Sequence, residues 1–521
     1  MVLTASFGAS DLVGFLGQHL ADLLHNLAYG MGVALSFKNL GLCFIGCLIG
    51  TLIGVLPGIG PVATLTMLLP ITFGLDTVGA LIMLAGIYYG AQYGGSTTAI
   101  LVNIPGEVTS VVTTLDGYQM ARQGRAGAAL GIAAIGSFFA GCVATVIIAA
   151  LALPLTNMAL KFGYADYFSL IVLGLLFAVV LARGSVMKAV AIILVGILLA
   201  TVGTDLESTQ LRLTFGWLQI ADGFDVAVLA MGTFGVTEIL RNLETTQSRQ
   251  LVHGVIGRLL PTGKEMRQSA GPIARGTLLG SVLGLLPGNG AVLGPFASYS
   301  LEKKLARDPS RFGNGAIEGV AGPESANNAG AQTAFIPLLT LGIPPNAVMA
   351  LMVGAMTIHG IQPGPQIISK QPDLFWGMIA SMWIGNVMLL IINLPLIGLW
   401  VRFLKVPYRL MFPMIVVLCC IGIYSIKNSG VEVYMTAGFG LFGYALIKFG
   451  FEPAPLLLGF VLGELMEEKL RQALVLSRGS FLTFLDRPLS ATFIVVALLL
   501  VVAATLPAMR KSRDEVFQES D

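Results

Sequence analysis

The 521-residue chain is 55% hydrophobic and only 11% charged, with a mean hydropathy of +0.83 and a net charge of +2. Soluble domains run at roughly a quarter charged residues, so this charge is too sparse to cover a soluble protein, and the net charge gives no indication of nucleic acid as a partner. A low aromatic fraction and continuous apolar runs also disfavour an outer-membrane barrel, which alternates apolar and polar residues in segments of about ten. The fold class is therefore an all-α polytopic membrane protein in a lipid bilayer.

Taken in chain order, residues 11–36 suit an interfacial helix. Lys38 is the first basic residue, so no cleavable signal peptide is expected. A hydrocarbon core of ~30 Å needs about 20 apolar residues as a helix. Full spans are expected near 78–100, 126–153, 167–182, 186–203, 223–240, 345–358, 374–394, 406–426, 431–447 and 488–509. Three segments read as interrupted: 40–70 and 276–298 at Pro-Gly steps, and 452–466 at Pro453 and Pro455. Together these give about ten to twelve transmembrane helices plus re-entrant pieces. The five cysteines, Cys43, Cys47, Cys142, Cys419 and Cys420, lie in apolar runs without metal spacing and read as small buried hydrophobes.

Orientation follows from the basic residues. Arg241, Arg249, Arg258, Lys264, Arg267 and Arg275 crowd 241–275, and Lys303, Lys304, Arg307 and Arg311 crowd 301–315. The loops 204–222 and 359–373 hold one base each, Arg212 and Lys370. With the basic loops inside, the C-terminus is cytoplasmic.

An internal repeat stands out. Residues 46–60 (GCLIGTLIGVLPGIG) and 276–290 (GTLLGSVLGLLPGNG) are related by a constant offset of 230. Glycine recurs every fourth residue in both, giving one side-chain-free helix face, and both run into the same Leu-Pro-Gly-x-Gly break. A weaker echo aligns Gly95–Leu101 with Gly330–Ile336 at offset 235, each followed by an Ile-Pro step. Loop charges place the first break opening outside and the second inside, so the repeats are expected to be inverted. The chain then divides into an N-terminal segment (1–37), transport repeat 1 (38–125), scaffold helices (126–240), a basic cytoplasmic loop (241–275), transport repeat 2 (276–358), further scaffold helices (359–509) and a cytoplasmic tail (510–521). Inverted repeats with discontinuous helices are an architecture of secondary transporters.

The breaks supply the candidate site. Pro57, Gly58 and Gly60, and Pro287, Gly288, Asn289 and Gly290, free backbone N–H groups beside half-helix N-termini, which suit an anion. No Lys or Arg falls within either repeat core, so backbone amides and hydroxyls would carry carboxylate recognition. Ser96, Thr97 and Thr98 cluster beside the first break with Gln92 and Asn103, and Asn327, Asn328, Gln332 and Thr333 with Ser325 beside the second. Glu324, next to the asparagine pair, is the ion-coupling candidate, for Na+ or H+, because acids at membrane depth are costly and usually functional. Glu107 and Asp116 are expected at the cytoplasmic mouth as solvated acids.

Several segments resemble the TctA family, the large membrane subunit of tripartite tricarboxylate transporters. They are Gly54–Pro61, Tyr88–Thr98, Asn103–Glu107, Leu115–Met120 and Gly322–Asn328. The resemblance implies a multi-pass subunit of the bacterial inner membrane that imports carboxylates: citrate and other tricarboxylates, dicarboxylates or aromatic acids. It implies two partners, a small four-span membrane subunit (TctB-like) and a periplasmic solute-binding protein (TctC-like). It implies symport on an ion gradient with no cofactor. A phosphate-binding G-x-x-x-x-G-K-[ST] loop is absent. An elevator-like alternating-access cycle is expected, with a passive anion channel as the competing reading. An intramembrane enzyme is disfavoured, since no metalloprotease or aspartyl-protease motif occurs and the four histidines are scattered.

Overall fold

The computed structural model describes residues 9–56, 60–182, 185–205, 207–244, 257–288, 290–404, 406 and 408–505. The architecture is all-α; among the described residues the only strands are the two-residue pair Gly203–Thr204 and Leu211–Arg212. We label the principal helices α1 (Ala9–Ala34), α2 (Phe37–Gly54), α3 (Pro61–Leu68), α4 (Thr77–Val102), α5 (Ala126–Ala159), α6 (Tyr164–Leu181), α7 (Val186–Ala200), α8 (Val226–Glu244), α9 (Gly263–Gly284) and α10 (Gly290–Leu305). The remainder are α11 (Glu318–Thr333), α12 (Phe335–Leu341), α13 (Ala347–Ile358), α14 (Pro372–Asn393), α15 (Tyr408–Lys427), α16 (Gly430–Lys448), α17 (Ala454–Leu476) and α18 (Pro488–Thr505).

Six helices among the described residues are long and apolar enough to cross a membrane: α2, α6, α8, α14, α16 and the segment Ala121–Ala159 that contains α5. Hydropathy alone overestimates two of the expected spans. The 345–358 segment is the 12-residue α13, and 186–203 is the 15-residue α7. At 1.5 Å per residue these reach about 18 and 22 Å, short of a full crossing. Pro344, Pro345 and the Asn346 cap hold α13 back. Conversely, Pro453 and Pro455 do not interrupt 452–466. Pro453 is the N-cap of α17 and Pro455 lies in its first turn, where a missing N–H costs nothing, and the helix runs 23 residues. Helix α9 starts at Gly263, inside the stretch expected as a basic loop, behind a Thr262–Glu265 capping box.

The glycine stripes set the packing. Along α2, a Cβ on Gly46, Gly50 or Gly54 would overlap the carbonyls of Met83, Ile87 and Ala91 on α4. Along α9, Gly276, Gly280 and Gly284 stand in the same relation to Gly322, Ala326 and Gly330 on α11. Bare backbone against backbone is the approach small residues allow in membranes. These contacts correct the alignment of the second elements. Met83, Ile87 and Ala91 correspond to Gly322, Ala326 and Gly330 at offset 239, one helical turn beyond the offset of 235 read from sequence. The corrected register continues past the helices. Asn103 ends α4 at φ 60° and Gly342 ends α12 at φ 74°, each followed by Ile-Pro.

Helices α4 and α11 lie at the centre. Every residue from Gly79 to Val102 is buried, as is every residue from Gly319 to Thr333. They are walled by α5 and α14, while α1 docks on α14 where Gly30 meets the Trp376 backbone. The remaining helices join through further glycine contacts, Gly196 of α7 on Leu456 and Gly459 of α17, and Gly232 of α8 on Thr436 and Gly440 of α16. Basic residues next to the two repeats pair with acids on and around α9. There Arg125 pairs with Glu265 at 3.0 Å, Arg275 with Glu302 at 2.6 Å, and Arg311 with Glu318 at 3.0 Å.

Candidate substrate and ion site

Two buried carboxylates organise the polar centre. Glu324 projects from α11 and accepts hydrogen bonds from Ser96 of α4, at 2.6 Å to Oε2, and from Thr113 to Oε1. Glu107 follows the Ile-Pro step after α4 and accepts from Thr109 Oγ1 at 2.6 Å and from Asn327 Nδ2 at 3.3 Å. Thr109 Oγ1 also lies 3.1 Å from Gln92 Oε1. Among the described residues, no Lys, Arg or His pairs with either acid. A buried charge without a partner is costly, so each carboxylate must be neutralised by a proton or a cation, or be held by donors alone.

The remaining polar residues of α11 turn toward α5. Asn328 donates to Ser137 Oγ at 2.6 Å and to the Glu324 carbonyl at 3.1 Å, and Gln332 Oε1 accepts from Thr145 at 2.9 Å. On α11 two buried amide atoms, Asn327 Oδ1 and Gln332 Nε2, have no hydrogen-bond partner. A small cavity beside Glu324 is lined by Tyr93, Ser96, Thr97, Ser137 and Asn393, among others.

The first break lies next to this centre. Thr98 Oγ1 donates to the Val55 carbonyl at 3.0 Å, closing the last turn of α2. Gly106 abuts Gly95 and the Gly54 carbonyl, bringing the Glu107 loop onto the same spot. Gly60 is extended and starts α3 without a side-chain cap, leaving first-turn amides free. Pro57 and Gly58 lie outside the described residues.

The second break sits elsewhere. Gly288, at φ 89°, donates its amide to the Pro345 carbonyl at 2.9 Å, and a Cβ there would strike the Phe177–Ala178 backbone of α6. Pro287 rests on Gly174, Gly290 starts α10 against the Leu283 carbonyl, and Thr333 packs on Gly284. Asn289 lies outside the described residues. The structure thus brings Ser96, Thr97, Glu324, Asn327 and Asn328 together beside Thr98 and the end of α2. It gives Pro287, Gly288 and Gly290 no hydrogen bond to that group.

Two acids lie elsewhere than their sequence context suggests. Glu107 and Asp116 are not solvated at a mouth: Glu107 is 9% exposed and Asp116 fully buried. The Asp116 carboxylate accepts from the Gly315 and Ala316 amides at 2.7 and 2.8 Å and from Tyr299 at 3.0 Å. It therefore ties the loop after α4 to the loop before α11. For Glu107 a signal existed, an acid beside the Ile-Pro step; for Thr113, Ser137 and Thr145, single hydroxyls among apolar neighbours, there was none.

Long apolar helices packed around a buried polar centre mark a multi-pass membrane protein. The tripartite tricarboxylate transporter TctA family matches residues 40–458, and the chain belongs to it. It is accordingly a component of a tripartite tricarboxylate transporter, from a family of transporters rather than enzymes. It is 58% identical over 502 residues to an uncharacterized 52.8 kDa protein in the TAR-I ttuC' 3' region of Agrobacterium vitis, covering 96% of this chain and all of that one. An uncharacterized protein in the TAR-II ttuC' 3' region of the same organism is 60% identical over 242 residues, 46% of this chain and all of its own length. No solved structure matches.

Proposed function

We propose that the chain is the large membrane subunit of an ion-driven carboxylate importer of the bacterial inner membrane. A periplasmic solute-binding protein feeds it and a small four-span subunit accompanies it. The substrate is a tricarboxylate such as citrate, a dicarboxylate or an aromatic acid. The observation that carries this reading is the pair of buried acids without a basic partner, set among hydroxyls and amides beside the first helix break.

The chemistry follows from charge. A carboxylate substrate would be repelled by ionised Glu107 and Glu324 at low dielectric. A bound cation or proton removes that repulsion, so anion and cation favour each other's entry, which is symport in thermodynamic terms. With no Lys or Arg in the repeat cores, the substrate's oxygens would be received by first-turn amides such as those of α3 and by the hydroxyl of Thr97, joined by that of Ser96 once it leaves Glu324. Asn327 would face the substrate side, while Asn328 and Gln332 through α5 and Thr333 through α9 would position α11 beside the substrate. Gly288 and Gly290 would hinge the second unit, and Glu324 would link ion occupancy to closure. The two glycine-striped units, inverted in the membrane with the C-terminus cytoplasmic, would move together against the scaffold in an elevator-like cycle.

Proteoliposomes holding the subunit with its two partners and a labelled carboxylate panel test the reading. Uphill accumulation that collapses with an ionophore is expected; equilibration without accumulation would identify a passive channel. For the elevator step, Gly174→Cys with Pro287→Cys joins α6 to the second break. Uptake should stop on oxidation and return on reduction, and unchanged uptake when oxidised would sink the moving-unit cycle.

A further inference from the structure

The two acids differ in what surrounds them. Both Glu324 oxygens face hydroxyl donors, Ser96 and Thr113. The neighbours of Glu107 are rich in oxygen. Thr109 has one hydroxyl proton and two acceptors, Glu107 Oε1 at 2.6 Å and Gln92 Oε1 at 3.1 Å. Asn327 is fully buried; its Nδ2 meets Glu107 while its Oδ1 has no partner. Rotating that amide would supply no proton for Oδ1 and would set it against the carboxylate. An orphaned buried carbonyl loses its hydration at a cost of about 1–3 kcal/mol, and beside it Glu107 brings a charge with no basic partner among the described residues.

We propose that Glu107, Gln92 Oε1, Thr109 Oγ1 and Asn327 Oδ1 form a binding site for a dehydrated Na+ ion. Hard cations take carboxylate, amide and hydroxyl oxygens, and one cation answers the carboxylate charge and the orphaned oxygens together. The site joins the loop after α4 to α11, so occupancy clamps the first glycine-striped unit to the second beside the first break. The inference deepens the transport reading and rests on it for its role in coupling, but its test does not depend on uptake.

Thermal unfolding of the purified full chain in detergent, titrated with NaCl against choline chloride at constant ionic strength, measures the site directly. The wild-type midpoint should rise with Na+ and not with choline. Glu107→Gln and Asn327→Leu should each weaken the apparent Na+ affinity tenfold or more. Thr109→Val, which keeps the charge and the shape, should weaken it at least threefold. Absence of a Na+-specific rise in the wild type, or the same Na+ response in Glu107→Gln and Thr109→Val, would overturn the site. Uphill uptake on a proton gradient without Na+ binding would remove the site and leave the transport reading standing. Intact Na+ binding with no accumulation under any gradient would do the reverse.

Discussion

Ser96 and Glu324, 228 residues apart, are joined by a 2.6 Å hydrogen bond from the serine hydroxyl to the carboxylate. The bond crosses from α4 to α11, the two central helices, and ties one glycine-striped unit to the other. Hydrogen bonds between membrane helices average about 0.6 kcal/mol. This one serves a buried carboxylate with no basic partner, so its loss should cost more, because the acceptor is left short of a donor.

Ser96→Ala should therefore lower stability by about 1–3 kcal/mol, and Ser96→Thr, which keeps the hydroxyl, by less. Thermal unfolding in detergent compares the two. Glu324→Gln retains the shape but not the charge. It should depress uptake at least tenfold or change its ion dependence, and if both are unaltered Glu324 has no coupling role.

The glycine stripes make a sharper steric prediction. Gly50→Ala and Gly280→Ala place a methyl against the Ile87 and Ala326 carbonyls, which belong to backbone and cannot rotate away. Overpacking of this kind costs about 1–3 kcal/mol, and the yield of folded protein should fall with it. Gly41 lies on the same helix as Gly50 with open space around it. Gly41→Ala should be neutral or stabilising by up to about 1 kcal/mol. Equal effects at Gly41 and Gly50 would show that close approach does not hold α2 to α4.

The loop after α7 should respond to acid. Hydrogen bonds from Ser208 and the Glu207 amide, together with Arg471 at 3.0 Å, hold Asp205 at about 2, below its ordinary 3.8. A carboxyl lowered in the folded state stabilises it fully above about pH 4 and loses that contribution as pH falls through about 2. Hydrogen–deuterium exchange over 203–222, corrected for intrinsic rates, should be faster in Asp205→Asn than in wild type at pH 7. The difference should vanish near pH 2; if it is unchanged at pH 2, the carboxylate is not what orders the loop.

What was legible in the chain was whatever repeats or is costly. Glycine every fourth residue before Leu56-Pro57-Gly58 and Leu286-Pro287-Gly288 announced two broken units, because helix geometry puts such glycines on one face. Glu324 was legible as an acid beside an asparagine pair within an apolar context. The register of the second elements was not, since Gly95 and Gly330 match as letters while the helix contacts match Ala91 to Gly330. A one-turn slip leaves the same face in contact, and only packing separates the two alignments.

The sequence by itself determined the membrane class, the helical fold and the two breaks, because these follow from composition and from backbone chemistry that acts over a few residues. Tertiary structure decided which groups meet. It moved Glu107 from a presumed solvated mouth to a buried oxygen cluster with Asn327, 220 residues away. It sealed Gly288 onto Pro345 rather than onto the acids. It also paired Ser137 and Thr145 with α11. Burial and partnership of a polar group depend on which helices cross, and α4 and α11 cross where close contacts allow it, which no local pattern in the chain records.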